Sequence, residues 1–496
     1  MPPFHALTHL FFFLLLAFLD VPAAAAETPL PALTENQSVN GVLTVTLEAK
    51  EQTVDLGDVS FKGMVFNGDY AGPLLRAHPG DTLRIHLINH LPEPTNLHFH
   101  GLHTSPLGHG DNVLILAPPG GTLDYEVKIS PHQPPGLFWY HTHPHGLTDQ
   151  QVNRGLSGAL LIDGFAAQFM ALRHVPEKIL TLKQYEVAHT DDPALKNLHK
   201  TAQTINGQLF STVSMGKGET QLWHIGNHSA DSWFHLALQG HKFRIIGRDG
   251  VAAKSETVTD HLDIGPANRF EILVDAGDQA GIFDLISERS PIGTGSDQKP
   301  DRVLAQLVVQ DKTGLQVGPL STFPAQMDLR QAKIDKERLL TFTEDPDADT
   351  FSINNQIFDH NRLDTRVPLG STEAWTIKND TNDRHIFHIH QMHYQLVEIN
   401  GEPQPFDGYI DTVRVPEKGA IKIIIPFTDP VIVGRFVYHC HVLEHEDKGM
   451  MANIEVYDPA KESVLSSLWE SLWPKAQSAG RLCGQKTKGF WQTIRG

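Results

Sequence analysis

The sequence predicts an all-β protein made of three β-sandwich domains in tandem. Three observations carry that reading. First, a ten-residue pattern occurs three times: GDTLRIHLIN from Gly80, GETQLWHIGN from Gly218 and GSTEAWTIKN from Gly370, spaced 138 and 152 residues apart. Each copy opens on Gly, carries Thr third and closes on Asn. The residues between alternate apolar and polar, the period-2 signature of a strand with one buried face. Second, an echo precedes each copy: FNGDY at 66, INGQL at 205 and INNQI at 353. A pattern recurring at a near-fixed interval implies copies of one structural unit. Third, helical periodicity is nearly absent before residue 460.

Taken in order, the chain begins with an apolar run from Leu10 to Leu19, followed by Ala23 to Ala26. This is the shape of a secretory signal. It is too short to span a bilayer, which takes about 20 residues. Residues 1–26 are expected to be a signal peptide and the protein to be periplasmic or secreted. The first domain is expected over 40–165, the second over 172–312 and the third over 335–458. SERSPIGTGSDQKPD, from Ser287, reads as a long hairpin loop. The tail, 459–496, places Leu465, Leu468, Trp469, Leu472 and Trp473 at helical spacing, and Pro474 stops the pattern, so a short C-terminal helix is expected. The tail holds six Lys/Arg against two Asp/Glu, on a chain whose net charge is −18. The acidic whole argues against nucleic acid as a partner. The basic, Trp-bearing tail suits weak membrane contact.

Histidine is the compositional anomaly, with 29 in 496 residues. HFHGLH carries His98 and His100. FWYHTHPHG carries His141 and His143. RHIFHIHQMH carries His385, His388 and His390. YHCHVLEHEDKGMM carries His439, Cys440, His441, His445 and Met450. In a strand, residues i and i+2 share a face, roughly 6.6 Å apart, so each His-x-His aims two imidazoles the same way. Buried imidazoles without partners cost free energy, and eight of them from four strands point to a polynuclear metal site. Cys440 faces away from His439 and His441 and belongs to a different centre. A thiolate with two imidazoles and a weak thioether is the blue-copper ligand set. His445 and Met450 follow Cys440 closely, and His385 is the remaining candidate. The other cysteine, Cys483, lies in the tail, so a disulfide is the poorer reading.

These clusters, in this order and spacing, resemble the multicopper oxidases over residues 40–458, including the opening FNGDYAGPLLRAHPGDTLRIHLIN. HCHVLEHEDKGMM is most similar to bacterial copper-efflux oxidases and laccases. The resemblance implies three cupredoxin-like Greek-key sandwiches and four coppers: one type 1, one type 2 and two type 3. It assigns His385, Cys440 and His445 to type 1 copper, with Met450 axial. It assigns His98 and His388 to type 2. His100, His141 and His441 go to one type 3 copper, and His143, His390 and His439 to the other. It implies that His439, Cys440 and His441 carry electrons inward, that dioxygen is reduced to water, and that Glu446 and Asp111 supply protons. One residue departs from the common pattern: Ile386 stands where many members have Pro. The middle copy, WFHLALQGHKF, keeps only His235 and His241 and is expected to be a spacer. His103, His109, His145 and His393 are not expected to bind metal, and His103 and His109 are expected to face solvent.

The electron donor is expected to be a small molecule. The eight methionines are scattered, with no Met-rich cluster between 310 and 385, which argues for a laccase-like oxidase of phenols or aromatic amines. Asp383, two residues before His385, is placed to accept a phenol proton. The alternatives are a cuprous or ferrous oxidase for copper tolerance and a copper-storage protein. Storage has no need of the Cys–His link.

Overall fold

The computed structural model describes residues 28–57, 59–186, 201–289 and 301–462. The predicted signal segment, residues 290–300 of the expected hairpin loop and all but the start of the tail lie outside them. A helix begins at Pro459. The strands flanking 290–300, Gly281–Glu288 and Arg302–Thr313, pair antiparallel.

The described residues form six sheets, two for each repeat. In the first repeat one sheet runs Ser60–Phe66, Val42–Asp55, Thr82–Asn89, Thr122–Lys128. The middle repeat has Thr201–Ile205, Glu177–Glu186, Thr220–Asn227, Arg269–Asp275 in the same order, and the third has Thr350–Ile353, Lys336–Asp345, Ser371–Asn379, Ala420–Phe427. In each, the strand of the ten-residue pattern is central, parallel to one neighbour and antiparallel to the other. Three separate apolar cores form, around Phe66 and Tyr140, around Trp223 and Phe234, and around Trp375 and Phe387.

The repeated letters have repeated jobs. Gly80, Gly218 and Gly370 have φ of 88°, 66° and 93°, a conformation that glycine adopts without steric cost. The closing Asn turns the chain after each strand. Asn89, Asn227 and Asn379 accept the N–H groups of Leu91, Ser229 and Thr381. Their amides donate to Glu93, Ser232 and Asp383 carbonyls. These are side-chain-stabilised turns. In the upstream echo, Asn67, Asn206 and Asn354 have φ of 53°, 48° and 56°. Each side chain takes a backbone N–H from the neighbouring strand, at Glu48, Thr181 and Thr341.

The second sheets carry the histidine clusters. The first repeat contributes His98–His100 and Gly136–His141, with His98 opposite His141. The third contributes His385–Ile389 and Gly434–Cys440, with His388 opposite His439 and Phe387 opposite Cys440. Two helices, Thr148–Asn153 and Leu443–Asp447, are too short for sequence periodicity to show. They lock the first and third repeats together. The Asp447 carboxylate accepts N–H bonds from Gly146, Thr148 and Asp149 at 2.7, 3.2 and 2.8 Å.

Candidate metal centre

Two sets of side chains of metal-ligating type meet on opposite faces of the strand Gly434–Cys440. On one face, Cys440 Sγ lies 3.4 Å from His385 Nδ1 and 3.8 Å from His445 Nδ1, and the two imidazole nitrogens are 3.0 Å apart. Burial pushes the Cys440 thiol up to about 12. An ionised sulfur therefore requires a cation beside it. His385 is oriented by a bond between its Nε2 and Thr381 Oγ1 at 2.8 Å, and Phe351 stacks on His445 at 4.0 Å. Met450 is fully buried. Its N–H donates to the His445 carbonyl and its own carbonyl accepts from Cys440 N–H.

On the other face, eight imidazoles from both repeats converge. His98 stacks on His390 at 3.6 Å and His100 on His388 at 3.8 Å, interleaving the two repeats. The Nε2 atoms of His143 and His390 lie 3.3 and 3.1 Å from His439 Nε2. Among the described residues, His98 Nε2, His100 Nδ1, His141 Nε2, His388 Nε2 and both nitrogens of His441 are buried with no hydrogen-bond partner. Buried nitrogens clustered in such number are costly, and metal ions would offset that cost by taking one lone pair from each neutral ring. Burial, reinforced by neighbouring imidazoles, drives the pKa of His98, His143 and His441 well below the ordinary histidine value. All three are held neutral, the form that binds metal.

Comparison with known proteins agrees. Multicopper oxidase family models match residues 48–166, 138–312 and 331–460. This chain belongs to the multicopper oxidases. The oxidase is 26% identical over 433 residues to multicopper oxidase mco of Staphylococcus haemolyticus, covering 84% of this chain and 89% of that one. It is 25% identical over 473 residues to a laccase of Bacillus stratosphericus, covering 79% and 90%. Among solved structures, the multicopper oxidase of Campylobacter jejuni, described as a metallo-oxidase, matches with TM-score 0.73 and 25% identity, covering 87% of this chain and 96% of that one. The fold is accordingly three cupredoxin-like domains, and the cofactor is copper. The donor chemistry fits: a thiolate with imidazoles on one face and unpartnered imidazoles on the other suit copper.

In His98, His100, His141 and His388 the nitrogen turned away from the convergence point has a partner, which fixes the ring. His98 Nδ1 meets Asp111 at 3.0 Å, His141 Nδ1 meets the Thr142 carbonyl at 2.9 Å, and His388 Nδ1 meets the Asp411 carbonyl at 2.8 Å. His100 uses Nε2 instead, toward Asp411 at 3.2 Å and Thr412 at 3.1 Å. Glu446 is fully buried, with carboxylate oxygens 3.4 Å from His143 Nδ1 and 3.2 Å from His439 Nδ1. Burial, aided by the Asp447 charge, raises its pKa well above the ordinary value. Burial raises Asp111 to about 7, against hydrogen bonds from Phe99 N–H and Gln391.

His109 and His145 lie at the surface, and His145 packs edge-on against Phe358. His103 corrects the expectation of solvent exposure: it is half-buried, with Nε2 2.7 Å from His393 Nδ1. His235 is tied to Asp263 and His241 to backbone carbonyls. Asp383 is exposed. Sequence reading missed Asp411, Gln391 and Trp139. Trp139 stacks on His141 at 4.3 Å and on His228 at 5.1 Å. No motif in GYIDTVRV marks Asp411, whose role exists only once three repeats meet.

Proposed function

We propose that this chain is an exported, laccase-like oxidase that takes single electrons from phenols or aromatic amines and passes them to dioxygen. Type 1 copper would be held by His385, Cys440 and His445 together with Met450, and type 2 copper by His98 and His388. The type 3 pair would be held by His100, His141 and His441 and by His143, His390 and His439. When bound, copper accepts one electron at a time at the Cys440 set and reduces dioxygen to two waters at the histidine set. The peptide His439–Cys440–His441 joins the two sets through covalent bonds.

Protons come from the chain. Glu446, whose carboxyl burial pushes well above the ordinary value, takes a hydrogen bond from Thr148 Oγ1 at 3.2 Å and faces His143 and His439. Asp111, buried and raised to about 7, is poised to gain and lose a proton near neutrality. Both are placed to supply protons for water formation.

The aromatic donor class rests on one observation. Of the ring and thiol groups in both sets, His445 is the most exposed, at 9%, and its cover is an aromatic ring, Phe351, rather than thioethers. Exposed Ile357 packs nearby against Gly449. An apolar, aromatic doorway favours planar organic donors. A second reading, oxidation of a reduced metal ion, draws on Asp383 and Glu344, neighbouring carboxylates near the start of the His385 strand. Oxygen uptake with a dimethoxyphenol, ascorbate, Fe(II) and Cu(I) separates them. The phenol should give the highest kcat/KM; a higher value for Fe(II) or Cu(I) establishes the second reading.

Export is supported by the apolar run at Leu10–Leu19. Among the described residues no helix is long and apolar enough to cross a membrane. The basic tail supports weak membrane contact. Deleting 461–496 should abolish co-sedimentation with anionic vesicles at low salt while oxygen uptake persists. Failure of the full chain to co-sediment removes the membrane role.

A further inference from the structure

The middle repeat supplies none of the eight converging imidazoles, yet one of its side chains reaches them. Arg269, from the strand Arg269–Asp275, is fully buried where the three repeats meet. Its Nε donates to the Leu137 carbonyl of the first repeat at 3.2 Å. Its Nη1 donates to the Ala267 carbonyl of the middle repeat at 3.0 Å. Both terminal nitrogens grip the Asp411 carboxylate of the third repeat, at 2.8 and 2.7 Å. One guanidinium thus ties all three repeats together.

Asp411 faces the metal set. Its carboxylate and the Thr412 hydroxyl meet His100 Nε2, and its backbone carbonyl meets His388 Nδ1. These bonds turn His100 Nδ1 and His388 Nε2, both without partners, toward the other imidazoles. Burial opposes the Asp411 charge, but the Arg269 charge and hydrogen bonds outweigh it, so the carboxyl stays ionised. A second observation is independent. A Cβ added to Gly101, next to His100, would lie 2.5 Å from Asp411 Oδ2 and 2.8 Å from Arg269 Nη2. The glycine of HFHG leaves room for this ion pair.

We propose that Arg269 is a positioning residue of the histidine-bound copper cluster: by holding Asp411 it fixes which ring nitrogen His100 presents and how His388 is oriented. The middle repeat is then a structural wall of the cluster rather than a spacer. The inference rests on the ligand assignment proposed above.

The test uses the full-length, copper-loaded protein. Copper per chain, the visible band of the Cys440 set and the near-ultraviolet band of the type 3 pair are measured for Arg269→Met and Arg269→Lys. Lys183→Met serves as the interface control. Lys183 clamps the middle repeat to the first, its ammonium donating to the Tyr70, Gly155 and Ser157 carbonyls rather than to any of the eight converging imidazoles. His100→Ala serves as the ligand control. Loss of a partner behind a ligand weakens metal binding by about 10- to 100-fold. Arg269→Met should therefore keep the visible band but lose type 2 and type 3 copper under mild chelation. Arg269→Lys, with its charge but without the planar two-pronged grip, should lose less. Lys183→Met should keep all copper. Full copper in both Arg269 variants, equal loss in Lys183→Met, loss of both bands together, or failure of both Arg269 variants to fold each overturns the proposal. Retention of type 3 copper by His100→Ala would instead overturn the ligand assignment.

Discussion

The middle and third repeats share one scaffold and differ in what it holds. Their second sheets have the same strand order: Ser211–Lys217, Arg302–Thr313, Gly281–Glu288, Phe234–Leu238, His261–Ile264 in one, and Thr365–Pro368, Met451–Tyr457, Gly434–Cys440, His385–Ile389, Thr412–Val415 in the other. The closing Asn of each repeat reaches the equivalent carbonyl, Ile264 or Val415. Those residues pair with Phe234 and His385. Following the register onward, Ala237 stands where His388 does, and Ile286 and Ser287 stand where His439 and Cys440 do. The letters alone align His235 with His388. The pairing places His235 beside Ile386's position instead, bonded to Asp263. Turns and cores are kept while a handful of inward positions carry Ala, Ile or Ser in one repeat and imidazole or thiol in the other, so function is set by the site rather than by the fold.

The sharpest break of this contrast is at the Cys440 position. Cys440→Ser should abolish turnover and the intense visible band while most histidine-bound copper remains. Ser287→Ala, the matching change in the middle repeat, should leave colour and turnover as they are. A blue Cys440→Ser protein would overturn the assignment of the thiolate.

Next in size is Glu446→Gln. The change preserves shape and removes the ionisable proton at a fully buried position. Dioxygen reduction should slow by about 10²- to 10⁴-fold, the usual worth of a proton donor, and the pH–rate profile should change with the visible band intact. Unchanged turnover across pH would return Glu446 to a purely packing role.

A third test separates the repeats by pH in the copper-stripped chain. Burial pushes His141 down to about 3 and His439 and His445 down to about 4. Between those values and the ordinary 6.5, the unfolded chain takes up protons that the folded chain refuses. Stability therefore falls as pH drops through this window, by about 1.4 kcal/mol per pKa unit per group. In the middle repeat, burial lowers His228 in the same way, but in the strand Thr220–Asn227 burial also lowers His224, where Glu271 and Glu177 outweigh it and raise it to about 10. The contribution of His224 is complete below the ordinary 6.5 and is lost as pH rises from there through about 10. Hydrogen exchange at ~pH 5 against ~pH 7.5 should expose the strands Gly136–His141 and Gly434–Cys440 while Thr220–Asn227 stays protected. Uniform exposure would show that the repeats do not differ in this way.

Much of this was legible in the letters. The Gly and Asn of the ten-residue pattern encode local turns, so repetition exposed them. His-x-His spacing and the lone Cys440 between two histidines encode strand faces, and the two sets do lie on opposite faces. The groups behind the ligands were not legible. Asp411 and Arg269 are 142 residues apart and meet only because three repeats pack. His103 read as a surface residue because its partner, His393, is 290 positions away. Side chains whose meaning depends on docking between repeats leave no periodic trace.

The smallest expected effect probes Met450, proposed above as a fourth ligand of the Cys440 set. Met450 follows the helix Leu443–Asp447 and is buried, with backbone bonds to both His445 and Cys440. Met450→Leu keeps an apolar side chain of similar volume, so the packing cost is small. It removes a thioether whose donation favours the oxidised metal. The reduction potential of the Cys440 centre should rise, and each ~59 mV of rise is a tenfold shift in a one-electron equilibrium. Donors of low potential should then be oxidised faster while electron transfer onward loses driving force, so turnover with a strong reductant need not increase. Redox titration of the visible band measures the shift directly. A potential that stays where it was removes Met450 from that role and leaves the Cys440 set with three protein ligands.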